Sequence, residues 1–97
     1  MLMIFDGDDD AYQQWLKENP HGYVTNARRN MAPSYRVLHR ASCRTIRDYT
    51  GQMHNGAFTE RSYIKICAPE IEELRDWLST TGRPDGTFSK ECSLCSN

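Results

Sequence analysis

Tyr63-Ile64-Lys65-Ile66-Cys67-Ala68-Pro69-Glu70-Ile71-Glu72-Glu73-Leu74-Arg75-Asp76-Trp77-Leu78 is the stretch on which the fold turns. Its first five residues are aromatic, β-branched or apolar around a single lysine, which is the clearest strand signal in the chain. At Pro69 the period changes. Proline suits the first turn of a helix, and Glu70, Glu72 and Glu73 lie where the helix dipole favours negative charge. Ile71, Leu74, Trp77 and Leu78 then recur at helical spacing as a buried stripe, and Gly82 is placed to end it. A strand running straight into an amphipathic helix, in a chain of this size, points to a mixed domain.

Working towards the N-terminus, Gly22 to Asn26 and Tyr35 to His39 read as two further strands. They are separated by a turn at Asn30 to Ser34 that contains Pro33. Before them, Tyr12, Trp15 and Leu16 share one helical face. Asp8 to Asp10 suit that helix's start as caps and dipole partners, and Pro20 stops it. The run Asp6-Gly7-Asp8-Asp9-Asp10 resembles a calcium loop only superficially, because the later glycine and terminal glutamate are missing. Met1 to Phe5 is apolar, too short for a signal-peptide core, and fits a core strand or a terminal contact. Asp48 to Ala57, with Gly51, Asn55 and Gly56, reads as a loop. Arg83 to Ser89 is a turn-rich link to a C-terminal tail that needs an anchor. The reading is α+β: a small antiparallel sheet of three to four strands, two main helices, and residues 1–97 as one zinc-stabilised domain.

The chain has 97 residues, 38% hydrophobic and 26% charged, with two Trp, five Tyr and three Phe. Those large side chains suffice for a modest core and argue against wholesale disorder. No apolar run approaches a bilayer span, so no membrane role is expected. A domain this small buries a limited share of its surface and commonly carries an extra staple.

The formal net charge of −1 conceals a strong asymmetry. Residues 1–20 carry five acids against Lys17, and residues 66–97 carry six acids against three bases. Between them lie Arg28, Arg29, Arg36, Arg40, Arg44, Arg47, Arg61 and Lys65 against only Asp48 and Glu60. From Arg28 to Arg47 there are six arginines and no acid. Arginine's planar fork suits bidentate contact with phosphates and base edges, so Arg28, Arg29, Arg36, Arg40, Arg44 and Arg47 are the candidate nucleic-acid contacts. Tyr23, Tyr35 and Tyr49 are candidates for stacking on bases. The competing explanation is a solvated basic face neutralised by the acidic ends of the same fold.

Four cysteines without a secretory signal fit a reducing cytosol, where metal or thiol chemistry is the expected use. Cys92-Ser93-Leu94-Cys95 lets two thiolates face one centre, and a second pair is needed to complete a tetrahedron. Upstream, His39 and Cys43 lie four positions apart. His39, Cys43, Cys92 and Cys95 together make a zinc site of one imidazole and three thiolates. Cys67 is a rival ligand, although a small thiol in an apolar strand is usually core. His21 and His54 have no cysteine beside them.

Tyr35-x-x-x-His39-x-x-x-Cys43-x-x-Ile46, followed by a helix, Gly82 and Cys92-x-x-Cys95, resembles the Ada-type metal-binding domains, the DNA methyl-phosphotriester repair module and its nuclease-associated relatives. The resemblance covers roughly residues 35–95. It implies a small mixed α/β zinc domain working beside DNA. In the repair modules the first cysteine of the upstream pair accepts the methyl group. Here that position is His39, which cannot perform thiolate transfer, and Cys43 matches the plain ligand.

A closed site of three thiolates and an imidazole favours a structural metal over a hydrolytic one, which needs an open position and a base. No HExxH, phosphate loop or nucleophile elbow is present. His21, Ser42, His54 and Glu60 do not have a spacing that demands a nuclease. The sequence therefore predicts a non-enzymatic, zinc-stabilised module binding nucleic acid, with DNA the expected partner, in a restriction, repair or phage-related setting. The acidic N-terminal segment keeps a protein-interaction or inhibitor role, with the same structural zinc, as the alternative.

Overall fold

The computed structural model describes residues 1–48 and 58–93. Five strands and two helices follow along the chain: β1 (Met3–Phe5), α1 (Asp9–Glu18), β2 (Tyr23–Arg28), β3 (Arg36–Arg40), β4 (Tyr63–Ala68), α2 (Ile71–Thr80) and β5 (Lys90–Glu91). A single 3-10 turn, Arg44–Ile46, follows β3. The strands form one sheet in the order β1-β4-β2-β3-β5. The α+β class and the two helices are as expected, but the sheet is larger than three to four antiparallel strands and it is mixed. β5 lies parallel to β3 through Val37↔Lys90 and Leu38↔Glu91, while the other neighbours are antiparallel. Two exposed charged residues carry no alternation to read, so β5 leaves no trace in the hydrophobic pattern.

Strand alternation sorts the side chains onto two faces. Ile64, Ile66 and Ala68 of β4 join Ala27, Leu38 and Leu74 of α2 in one core. Cys67 faces the other way and joins Phe5, Tyr12, Trp15, Leu16 and Val24, the core beneath α1. The two helices therefore cover opposite faces of the sheet. The expected stripes account for this: Tyr12, Trp15 and Leu16 are buried on α1, and Leu74 and Leu78 on α2.

Helix α2 begins one step later than the sequence suggests. Glu70 is its cap and Pro69 precedes it, because Glu70 and Glu73 form a reciprocal capping box that fixes the start. Its end matches the expected glycine stop. Gly82 has φ +112°, and the Arg83 amide donates back to the Leu78 carbonyl at 3.0 Å. A Cβ at Gly82 would lie 2.6 Å from Cγ of Pro33, so only glycine lets the β2–β3 turn rest on the end of α2.

The α1 face also contains a polar knot. The Asp9 carboxylate accepts from the amides of Phe58 and Thr59, at 3.2 and 2.7 Å, and from the Thr59 hydroxyl at 2.6 Å. Asp8 caps α1 through the Ala11 amide as anticipated, whereas Asp9 is buried and holds the approach to β4. From the sheet side, the Lys65 ammonium donates to the Phe58 carbonyl at 2.7 Å and to Asn26 Oδ1 at 2.8 Å. It lies 5.9 Å from the ring centres of Tyr12, Phe58 and Tyr63. The Tyr12 hydroxyl donates to the Ile46 carbonyl at 2.5 Å, which ties the 3-10 turn to α1.

Burial lowers the Lys65 pKa to about 8, against weaker opposing pulls from Cys67 and Asp9. The folded protein therefore gives up this proton more readily than the unfolded chain, which holds it to the ordinary lysine value. Between about pH 8 and pH 10.5 the unfolded state binds more protons, so this group makes stability rise with pH, by about 3 kcal/mol over the interval. Cys67 and Tyr12, whose pKa values burial raises, act oppositely at high pH in any variant that retains them. The difference in unfolding free energy between wild type and Lys65→Met should therefore climb from pH 8 to 10.5 in urea titrations. A flat difference would show an unperturbed lysine.

Candidate metal centre

β3 emerges from the sheet with His39 on the α1 face, opposite Val24 of β2, which in turn pairs with Cys67 of β4. The chain then turns sharply. The Ala41 amide donates to the Gly22 carbonyl and the Cys43 amide to the Arg40 carbonyl, both at 2.9 Å, which brings Cys43 back beside His39. The third residue arrives from the far end of the chain. β5 runs parallel to β3, and one step beyond Leu38↔Glu91 the Cys92 amide donates to the Leu38 carbonyl at 2.9 Å. The Ser89 hydroxyl receives the Arg36 amide at 2.7 Å and helps to set that register.

His39, Cys43 and Cys92 each offer one donor atom to a common space, and these atoms all lie within 4.8 Å of one another. This group could hold a metal ion. A tetrahedral zinc with bonds of about 2.3 Å to sulfur spaces its donors roughly 3.8 Å apart, so the three are within about an ångström of closing on an ion. His39 and Cys43 are buried and Cys92 is half-buried. Burial, aided by the nearby Lys65 charge, lowers the His39 pKa to about 4. The imidazole is therefore neutral near pH 7, the form that ligates metals. Thr45, on the 3-10 turn, was not singled out by the sequence. Its hydroxyl lies 3.0 Å from Cys43 Sγ, 3.5 Å from His39 Nδ1 and 4.0 Å from Cys92 Sγ. No spacing rule would have found it, because its position depends on how the turn after Cys43 folds back.

Of the sequence-predicted ligands, His39, Cys43 and Cys92 are brought together, and Cys95 lies outside the described residues. Cys67 does not join them. It is fully buried in the core under α1, and burial pushes its thiol pKa up, away from the thiolate a metal requires. His21 is exposed at the start of the β2 approach, and His54 and Tyr49 fall outside the described residues.

The six arginines separate into two groups. Arg36 is not a surface contact at all. It is fully buried on the α2 face, donates to the Thr81 hydroxyl and to the carbonyls of Met31 and Thr81, and packs 4.6 Å from the Trp77 ring. Strand alternation turned it inward, which a count of charges cannot see. Arg29 is exposed but engaged. It pairs with Asp6 and donates to the Arg61 and Thr59 carbonyls at 2.7 Å, so it fastens the start of α1 to the approach of β4. Arg47 is half-buried beside Asp48, at 3.7 Å. Arg28, Arg40 and Arg44 are exposed, with no carboxylate partner among the described residues. Of the stacking candidates, Tyr23 packs against the α2-side core, while Tyr35 is half-exposed beside Arg28. Tyr63, the first residue of the clearest strand in the sequence, stands next to it.

Comparison with family models, curated proteins and solved structures returns no match. No helix among the described residues is long and apolar enough to cross a membrane.

Groups that hydrogen-bond to metal ligands orient them and tune affinity. Thr45→Val should weaken metal binding by about tenfold, read as competition with a chelator of known affinity. Unchanged affinity would show that the hydroxyl takes no part in the site.

Proposed function

We propose that this chain is a zinc-stabilised nucleic-acid-binding module, with DNA as its principal target, serving a restriction, repair or phage-related system. In this reading Cys95 joins His39, Cys43 and Cys92 as the fourth ligand of one Zn2+. The observation that carries the proposal is that each upstream ligand is followed at once by an exposed arginine: His39 by Arg40 and Cys43 by Arg44. A metal that fixes the ligands fixes the backbone from which those cations project. A centre of three thiolates and one imidazole around a divalent ion has one excess negative charge, which the two arginines offset locally. Their remaining capacity for bidentate contact is directed to phosphate.

The resemblance to Ada-type domains supports the same reading, and His39 in place of the methyl-accepting cysteine argues against methyl-transfer repair. A closed thiolate-rich site assigns the metal to structure. Zinc binding worth on the order of 10 kcal/mol, as in zinc-finger peptides, is comparable with the whole stability of a domain this size.

Three measurements test this. Elemental analysis should find one zinc per chain, and chelation or Cys92→Ser should abolish the thermal transition. A chelated protein that melts as before is incompatible with a structural metal. The zinc-loaded protein should bind DNA at low salt with an affinity that falls steeply as salt is added. In Arg40→Ala/Arg44→Ala the slope of log affinity against log salt should shrink by about one unit per arginine. No binding to DNA or RNA at low salt would remove the nucleic-acid reading in favour of a protein-interaction role.

A further inference from the structure

Of the three exposed arginines between Arg28 and Arg47 that have no carboxylate partner among the described residues, Arg28 stands apart from the other two, on a different kind of support. On the α1 face, Arg28 of β2 is directly opposite Tyr63 of β4 in the ladder. Its guanidinium carbon lies 4.7 Å from the ring centre of Tyr35 and 5.6 Å from that of Tyr63. The two rings contact each other at 5.6 Å between centres, tilted by 41°. Tyr35 is held in turn from the sheet, since Asn26 Nδ2 donates to its hydroxyl at 3.3 Å and Asn26 Oδ1 receives the Lys65 ammonium. The result is a planar cation, exposed at the surface, laid over two half-buried rings, of which Tyr35 is braced from the sheet.

We propose that Arg28, Tyr35 and Tyr63 form a stacking shelf for an unpaired base of single-stranded nucleic acid. This rests on the nucleic-acid reading above and specifies the form of the partner. Three features point to an unpaired base. A guanidinium plane stacked on an aromatic ring presents its outer face to another flat π system, a recurrent way of holding splayed bases. Its N–H edge stays available to the adjoining phosphate, so one residue meets both parts of a nucleotide. The orientation is set before binding, because the rings hold the side chain that would otherwise lose rotamer freedom. Bases within a duplex are stacked on each other and cannot reach such a shelf. Tyr35 and His39 lie four residues apart along the β3 segment, about 13 Å at strand rise. The shelf and His39 thus share one face of the sheet, whereas Arg40 alternates to the other.

The test uses the full-length, zinc-loaded chain and fluorescence anisotropy with a labelled 15-residue oligothymidylate, single-stranded or annealed to its complement. The single strand should bind at least about tenfold more tightly than the duplex. Tyr35→Ala and Tyr63→Ala should each lose about tenfold on the single strand. Arg28→Lys, a surface change that keeps the charge and removes the plane, should lose a comparable factor on the single strand and a clearly smaller one on the duplex. It decides the matter if either tyrosine variant fails to fold. Equal or tighter binding of the duplex, or an Arg28→Lys protein that binds the single strand like wild type, overturns the shelf while leaving the nucleic-acid reading intact. Binding to neither form overturns both.

Discussion

An anion and a cation grip Phe58 from opposite sides, and the anion holds Thr59 as well. The Asp9 carboxylate takes the amides of Phe58 and Thr59, and the Lys65 ammonium takes the Phe58 carbonyl. Buried charges are costly unless they are hydrogen-bonded, and here the bonds end on backbone and on the neutral side chains of Thr59 and Asn26. The consequence is positional. The chain entering β4 is fixed to the N-terminus of α1 and to the sheet at once, so the helix, the central strand and the rings of Tyr12 and Phe58 have one mutual arrangement. The Tyr12 hydroxyl extends the grip to Ile46, on the turn that carries Thr45 towards the candidate metal ligands. The geometry of the centre is thus set partly from the far side of the α1 core.

The sequence disclosed the elements that bury an apolar stripe. Tyr12, Trp15 and Leu16 declared α1, and Ile71, Leu74 and Leu78 declared α2, because helical spacing is a property of the chain alone. The strand ending in Cys67 was legible for a similar reason, through β-branched residues in a row. β5 was not, since two charged residues acquire strand character only by lying beside β3. Likewise Asp9, read as one of three capping acids, is indistinguishable from Asp8 and Asp10 until the fold buries it. The metal candidates were legible because ligand chemistry restricts the choice to few residue types, and three of the four predicted are neighbours in space. Arg36 was misread where charge alone was considered, since it faces the core, and the exposed Arg29 has a second task in holding the fold together. Composition counts charges, whereas alternation along a strand decides which of them reach water.

Arginine accordingly serves three physical purposes within one short region. Arg36 is an internal cross-brace, cradled by carbonyls and an indole. Arg40 and Arg44 are outward charges whose backbones stand next to ligands. Arg28 is a flat surface supported by rings. Lysine would serve none of these equally well, since the first and third depend on planarity and the bidentate phosphate contact proposed for Arg40 and Arg44 depends on the same fixed fan of donors.

The parallel pairing of β5 with β3 has a bearing on the order of assembly. Antiparallel neighbours can form from a short hairpin, but β5 closes on β3 across a connection that contains β4 and α2, so loop entropy favours its pairing after theirs. Cys92 therefore meets His39 and Cys43 late, as the closing contact of a loop spanning about half the chain. A cross-link over roughly fifty residues removes on the order of 4 kcal/mol of chain entropy from the unfolded ensemble in the simple loop model. An ion captured there acts on a nearly finished fold. It would slow unfolding more than it speeds folding, and would lengthen the lifetime of a domain whose last strand is two residues long.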